Sequence, residues 1–163
     1  MNNMKRIAAA LGIFVILGVA AFLGWMHQRG RLPGSPAGNV LTVNVTSPAD
    51  RGPASLREAL YIVDGANREG IIVIRTARIA LTTPLPPLVN PHGVRIVGQA
   101  PGAEIDAQAL AAGPVLDVAG ANASLEGVVL RHCPAAGILL RATHFHLQSS
   151  TVESCDVGVE VAE

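Results

Sequence analysis

The sequence predicts an all-β solenoid of stacked coils, which begins with a cap helix and is preceded by one transmembrane helix. Three observations predict this fold class. Short alternating apolar runs recur about every 22 residues, an amphipathic segment with a capping box precedes them, and a long uncharged apolar run lies near the N-terminus. Half of the 163 residues are hydrophobic and only 15% are charged, which excludes a chain that is disordered throughout.

The long apolar run is residues 7–26, which are uncharged. A helix of this length spans roughly 30 Å, the thickness of the hydrocarbon layer. A signal peptide cleaved near residues 18–20 is the alternative, but the apolar run continues past that point, so we expect a retained signal anchor. Residues 1–6 would then be a cytoplasmic tail, and residues 27–39, rich in Gly and Pro, a linker. This organisation predicts a single-pass protein of the bacterial inner membrane with a periplasmic or extracellular body.

The segment 55–64 has the signals of a cap helix. Ser55 and Glu58 form an S-x-x-E capping box, and Gly65 ends the pattern. Apolar residues recur at helical spacing on one face, at Leu56, Ala59, Leu60 and Val63. Because the first coil of a solenoid exposes apolar core and unpaired strand edges, we expect this helix to cover it.

Apolar residue pairs then repeat at a fixed period, with the last pair one residue early. The pairs are Ile72/Ile74, Val94/Ile96, Leu116/Val118, Ile138/Leu140 and Val159/Val161. A second set with the same spacing is Leu125/Leu147, Leu130/Val152 and Cys133/Cys155. Alternation predicts strands, and the Gly, Pro, Asn and Asp residues between the runs predict corners. The period of about 22 residues predicts stacked coils over residues 40–163.

This register also predicts contacts between stacked side chains, about 4.8 Å apart. The predicted ion pairs are Arg95–Asp117, Arg131–Glu153 and, one residue out of step, Arg141–Glu163. Cys133 and Cys155 would lie within disulfide distance. Parallel stacked side chains often do not cross-link, so we expect two buried thiols, with a disulfide as the alternative that an exported location allows.

Two segments at the start of the body resemble a known family. Residues 50–60, which include SLREAL, and residues 71–74 resemble the N-terminal cap of right-handed parallel β-helix proteins of the pectate-lyase-like superfamily. The resemblance extends to coil strands at residues 94–98, 105–106 and 128–161. It implies a right-handed parallel β-helix over residues 40–163. These families include polysaccharide lyases and hydrolases, adhesins and passive surface proteins, and many of their coils carry an inward corner asparagine.

The charges of the chain are unevenly distributed. Residues 1–49 carry a formal charge of +4, whereas residues 50–163 carry −4 and contain no lysine. An acidic body without lysine excludes nucleic acid as the main partner. The best candidates for acid catalysis, Asp106 and Asp117, are separated by half a coil and are expected on different faces. No catalytic residue and no cofactor is therefore predicted, because an active site needs groups that converge.

The clustered histidines are His132, His144 and His146. His144 and His146 flank Phe145 in an alternating run and would point outward together. Such a pair can bind a metal ion, with Cys133 in the neighbouring coil, so His144 and His146 are the candidate metal ligands. Two ordinary exposed histidines are the alternative.

Tyr61 and Phe145 are the two aromatic residues of the body, so a sugar-binding face would have to use polar and charged groups. We expect an exported, membrane-anchored β-helix that presents a binding surface to a polysaccharide or an envelope protein and is not catalytic. The alternative is the N-terminal part of a carbohydrate-active enzyme, a polysaccharide lyase or hydrolase. Since residues 158–163 read as a strand without a closing helix, we expect further coils after Glu163, or another chain, to cover the last coil.

Overall fold

The computed structural model of the protein describes residues 40–99 and 102–162. Within these residues, one helix and twelve strands form a parallel solenoid of about four turns, as predicted. The helix α1 is Leu56–Asp64. The strands are β1 Leu41–Val45, β2 Gly70–Ile74, β3 Arg78–Ala80, β4 Val94–Gly98, β5 Ala103–Asp106, β6 Leu116–Val118, β7 Ala123–Glu126, β8 Val128–Arg131, β9 Ala136–Leu140, β10 Phe145–Gln148, β11 Thr151–Glu153 and β12 Val157–Val161.

The strands pair in parallel with strands of the neighbouring turns and form three sheets. The first sheet has the order β1-β2-β4-β7-β10, the second β11-β8-β5-β3, and the third β12-β9-β6. Side chains alternate between core and surface, as in β2, where Ile72 and Ile74 are fully buried. Inward side chains from all three sheets belong to one hydrophobic core. This arrangement is consistent with a β-helix.

The turns differ in length along the chain. In the first sheet the strands begin at positions 41, 70, 94, 123 and 145, so the steps are uneven and the last step is the shortest. The predicted spacing is confirmed in the later turns, in the pairs Leu116–Ile138, Leu125–Leu147 and Leu130–Val152. Earlier it is wrong, because Ile72 pairs with Ile96 and not with Val94. The early turns are longer because their connections are longer; the one between β1 and β2 contains α1.

The two predicted ion pairs whose residues the structure describes differ in the same way between later and earlier turns. The predicted Arg131–Glu153 pair, which lies in the regular turns, is confirmed. The predicted Arg95–Asp117 pair is wrong, because Arg95 lies on the first sheet and Asp117 on the third. Arg95 instead pairs with Glu126 of the next turn in its own sheet.

The predicted cap helix is confirmed as α1. The hydroxyl oxygen of Ser55 accepts a hydrogen bond from the Glu58 N–H at 3.3 Å, and the Glu58 carboxylate accepts one from the Ala54 N–H at 2.6 Å. The first bond is that of the predicted capping box, whereas Glu58 reaches one residue further back than expected, because the Ser55 N–H donates to the Gly52 carbonyl at 3.2 Å. The apolar face of α1 packs against β1 and β2, so the helix covers the first turn of the core.

Arg57 fixes α1 to the connection after β3, a contact that the sequence analysis did not predict. Its Nη2 lies 2.6 Å from Asp50 Oδ1 and donates to the Thr83 carbonyl at 2.8 Å, while Nη1 donates to the Pro84 carbonyl at 2.6 Å. The Arg57 and Asp50 side chains are only 10% and 8% exposed. Burial alone would raise the pKa of Asp50, but hydrogen bonds from Arg57, Thr82 and Thr83 outweigh it and lower that pKa below its usual value.

One inward corner asparagine is present in the described structure, at the other end of α1. Asn90 is 1% exposed, and its Nδ2 donates to the carbonyls of Val63 at 2.8 Å and Arg68 at 3.0 Å. Its Oδ1 accepts a hydrogen bond from the His92 N–H at 2.8 Å. This buried amide is therefore fully engaged in joining the cap to the next turn.

The predicted fold class, a solenoid preceded by a transmembrane helix, is corrected to an all-β parallel solenoid with one short helix. Among the described residues no helix is long and apolar enough to cross a membrane. Helix α1 has nine residues and is about 14 Å long, roughly half the hydrocarbon thickness. The span predicted at residues 7–26 lies outside the described residues, as do the tail 1–6 and the linker 27–39.

Candidate functional site

The second sheet carries charged side chains on its outer side. In β5, Ala103 and Ile105 are buried in the core, and Glu104 and Asp106 alternate with them. Because the strands stack in register, charged residues of the neighbouring strands adjoin these two. We call the whole set the charged face, and its members are Arg78, Glu104, Asp106, Arg131, His132 and Glu153.

Asp106 is the centre of the charged face, and its side chain is only 3% exposed. Its Oδ1 lies 2.9 Å from His132 Nδ1 and accepts a hydrogen bond from the Gln108 N–H at 3.0 Å, and its Oδ2 accepts one from Arg78 Nη2. Burial alone would raise the pKa of Asp106, but these hydrogen bonds, from His132, Gln108 and Arg78, lower it to about 2. Since an ionised carboxylate only accepts hydrogen bonds, His132 Nδ1 is the donor.

The Arg78 and His132 side chains of the charged face are open to solvent. The side chains of Arg78 and His132 are 59% and 44% exposed, and the hydrogen bond to the buried carboxylate raises the pKa of Arg78. Glu104 bridges two arginines, because its Oε1 lies 3.4 Å from Arg78 Nε and its Oε2 lies 3.4 Å from Arg131 Nη1. Arg131 also pairs with Glu153 in the next turn. The ion pairs therefore run without a break across four stacked strands.

An open cleft lies beside Asp106 on the charged face. It is lined by Arg78, Ala80, Leu81, Asp106, Gln108 and Ala109. Its wall combines a guanidinium, a buried carboxylate and small aliphatic groups. Such a combination can hold a polar ligand by hydrogen bonds while its apolar side contacts the aliphatic groups.

Asp117 does not join this cluster. It lies on β6 in the third sheet, and its Oδ1 accepts a hydrogen bond from Arg141 Nε at 3.1 Å. The expectation that Asp106 and Asp117 occupy different faces is therefore confirmed. Arg141, for which the sequence register suggested Glu163, has Asp117 as its partner, and Glu163 lies outside the described residues.

The two candidate metal ligands do not share a strand. His146 is exposed on β10, whereas His144 precedes the first strand residue, Phe145, with a φ of 68°. In the two preceding turns Gly93 and Asn122 hold the same corner position with φ of 98° and 57°, so His144 forms a left-handed corner that histidine tolerates. Within the described part of the chain, no group of three His, Cys, Asp or Glu side chains is arranged to hold a metal ion. Metal binding by His144 and His146 stays a prediction.

The two cysteines form a disulfide. Cys133 and Cys155 are 22 residues apart, with Cα atoms 4.3 Å from each other, so the predicted stacking is confirmed. The expectation of two free thiols is wrong, since both are bonded. The disulfide joins the last two turns next to the charged face, because Cys133 directly follows His132.

The sequence analysis singled out Asp106 but missed its two side-chain partners. Arg78 and His132 are 28 and 26 residues away in the sequence, farther than one period of the expected register. In the second sheet, Arg78 aligns with Glu104 and Glu104 with Val129, so both steps exceed that period. A search for opposite charges at the ends of successive strands, with the period left free, could have found the cluster.

No family model matches this chain, and neither a curated protein nor a solved structure matches it.

Proposed function

We propose that the solenoid is a binding scaffold that presents the charged face to a polysaccharide, with an envelope protein as the alternative partner. The observation that carries this proposal is the continuous ion-pair network, which holds charged side chains in rows on four stacked strands. Strands stack about 4.8 Å apart, so the rows offer hydrogen-bonding groups at regular intervals along an extended ligand. The resemblance of the cap to the pectate-lyase-like superfamily also supports a polysaccharide ligand.

Preorganisation favours binding at this face. Glu104 lies between Arg78 and Arg131, and Asp106 is bound from three sides, so these side chains have little freedom left to lose. Ordering a long side chain costs roughly 0.5–1.5 kcal/mol when a ligand binds, and a network that is already ordered avoids most of that cost. The members of the charged face include no Phe, Tyr or Trp, so recognition would depend on hydrogen bonds.

An exported location is part of the proposal. Disulfides persist in the periplasm and outside the cell and are rare in the cytosol. The bond between Cys133 and Cys155 therefore supports a protein that works in an oxidising compartment, on the periplasmic or extracellular side.

A carbohydrate-active enzyme is the second candidate function, and one observation favours it. The ionised Asp106 holds His132 through Nδ1, so Nε2 is the ring nitrogen that would exchange a proton with a substrate. A lyase or hydrolase would release unsaturated uronates or new reducing ends from the polysaccharide that it binds. Incubating the full chain with each bound polymer and assaying both products distinguishes an enzyme from a scaffold.

Affinity electrophoresis of the full chain tests the scaffold. Native gels would contain a neutral polymer (dextran or galactomannan) or an acidic one (alginate or polygalacturonate). Arg131→Met should reduce retardation about tenfold, because it removes the link between Glu104 and Glu153. Arg141→Met removes an arginine that directly follows β9, away from the charged face, and should change nothing. If no polymer retards the wild-type protein, the polysaccharide proposal is wrong and the envelope-protein alternative takes its place.

A further inference from the structure

The cleft beside Asp106 has one acceptor site that the protein leaves free. A carboxylate has about four lone-pair positions. Asp106 Oδ1 takes two donors, His132 Nδ1 and the Gln108 N–H, whereas Oδ2 takes only Arg78 Nη2 among the described residues. Because Asp106 lines the cleft, Oδ2 can accept one further hydrogen bond from a ligand.

Arg78 supplies free donors next to that acceptor. Its Nη2 is bound to Asp106 and its Nε lies 3.4 Å from Glu104, while Nη1 has no partner within the described structure. The side chain is 59% exposed, and it lines the same cleft. A ligand in the cleft therefore meets an acceptor on the buried Asp106 and a donor on the exposed Arg78, two residues joined by their own ion pair.

The charges decide which ligands fit this pair of groups. An anionic ligand would meet the carboxylates of Asp106 and Glu104, so it gains little from Arg78. A cationic ligand would have to displace Arg78 from Asp106. A neutral ligand with adjacent hydroxyl groups satisfies both, because a hydroxyl donates and accepts.

The apolar part of the cleft fits the same ligand class. Ala80 and Ala109 are exposed, whereas Leu81, which also lines the cleft, is fully buried and belongs to the core. The methyl groups of the two alanines leave room for a ring and offer contact to its C–H groups.

We propose that this cleft is a binding site for a neutral sugar unit, in which one hydroxyl donates to Asp106 Oδ2 and a neighbouring hydroxyl accepts from Arg78 Nη1. The proposal rests on the proposed function and narrows it from polysaccharides in general to neutral ones. It makes Asp106 and Arg78 the residues that select the ligand. The rest of the charged face then keeps these two side chains in position.

The test uses the same affinity gels, with galactomannan as the neutral polymer and polygalacturonate as the acidic one. Asp106→Asn removes a charged acceptor and should weaken retardation by galactomannan about tenfold or more. Since Asp106→Asn could also impair folding, Ala109→Trp serves as a second variant that fills the cleft and leaves the ion pairs intact. Ala49→Trp adds the same side chain at an exposed position in the loop before α1 and is the matched control.

The expected result is that galactomannan retards the wild-type protein and Ala49→Trp equally, and that Ala109→Trp loses at least nine tenths of the retardation. Retardation by polygalacturonate alone would overturn the neutral-sugar site and leave the binding scaffold standing. Equal retardation of Ala109→Trp and wild type by galactomannan would also overturn the site, because the ligand would then bind elsewhere. If neither polymer retards the wild type, the site is overturned together with the polysaccharide scaffold.

Discussion

The capped end and the last turn of the solenoid differ in burial and in regularity. At the capped end, α1 covers the core, and Leu60 and Ile72 are fully buried. In the last turn Leu147 and Val159 are each 44% exposed and Val161 is 70% exposed. Nevertheless, the last turn follows the predicted period and the capped end does not. Strands therefore stack with or without the fixed period, whereas the cover over the core determines how much apolar area leaves water and stabilises the fold.

The largest effect should come from breaking the cap at Arg57. Arg57→Met leaves the Asp50 carboxylate without its buried partner, which should lower the free energy of unfolding by about 3–5 kcal/mol in urea denaturation. Arg51→Met, at an exposed neighbouring arginine that bonds Thr83, should cost less than about 0.5 kcal/mol. Equal losses for the two variants would mean that the buried pair does not hold the cap.

The sequence predicted the parts of the fold that depend on local patterns. Alternation gave the strands, and the Ser55 and Glu58 pattern gave α1, because both signals lie within a few residues. The stacking register of the early turns was not predictable, because the connections between strands there differ in length from one turn to the next. Ile72, for example, stacks on Ile96 and not on Val94. The contact between His132 and Asp106 depends on that register, so it needed three-dimensional structure.

The second largest effect should come from the disulfide in the last turns. Closing a loop of this length, 22 residues between the cysteines, stabilises the folded state by about 3 kcal/mol in the chain-entropy model. Reduction, or the Cys133→Ala/Cys155→Ala variant, should therefore speed amide hydrogen exchange in β11 and β12 and leave α1 unchanged. The control is the double variant itself, on which a reductant should have no effect. Two free thiols in the denatured, unreduced protein would contradict the bond.

A smaller effect should come from acid, through Asp106 of the charged face, which lies on β5 between the two ends. The pKa of Asp106 is lowered from 3.8 to about 2 in the folded state, so its contribution is complete above about pH 4 and is lost as the pH falls towards 2. Solvent screens its exposed partners, so we expect a contribution of about 1–2 kcal/mol.

Asp106→Asn should remove this contribution and flatten the pH dependence of urea unfolding between pH 4 and 2. Asp117→Asn is the control, because Asp117 lies on the third sheet and makes its ion pair there with the half-exposed Arg141. The attribution to Asp106 would be wrong if both variants kept the same acid loss as the wild type.

The smallest effect should come from Arg95→Met. This variant removes an exposed arginine, for comparison with the buried Arg57. Arg95 pairs with Glu126 on the outer side of the first sheet, where the two side chains are 50% and 31% exposed. Water already solvates both groups, so removing one leaves no buried charge, and the pair should contribute only about 0–1 kcal/mol.

A double-mutant cycle of Arg95→Met with Glu126→Gln measures the coupling directly. The coupling should fall further at 1 M salt, where the screening length is about 3 Å. A coupling as large as the loss at Arg57, or one that does not change with salt, would show that burial does not separate the two pairs.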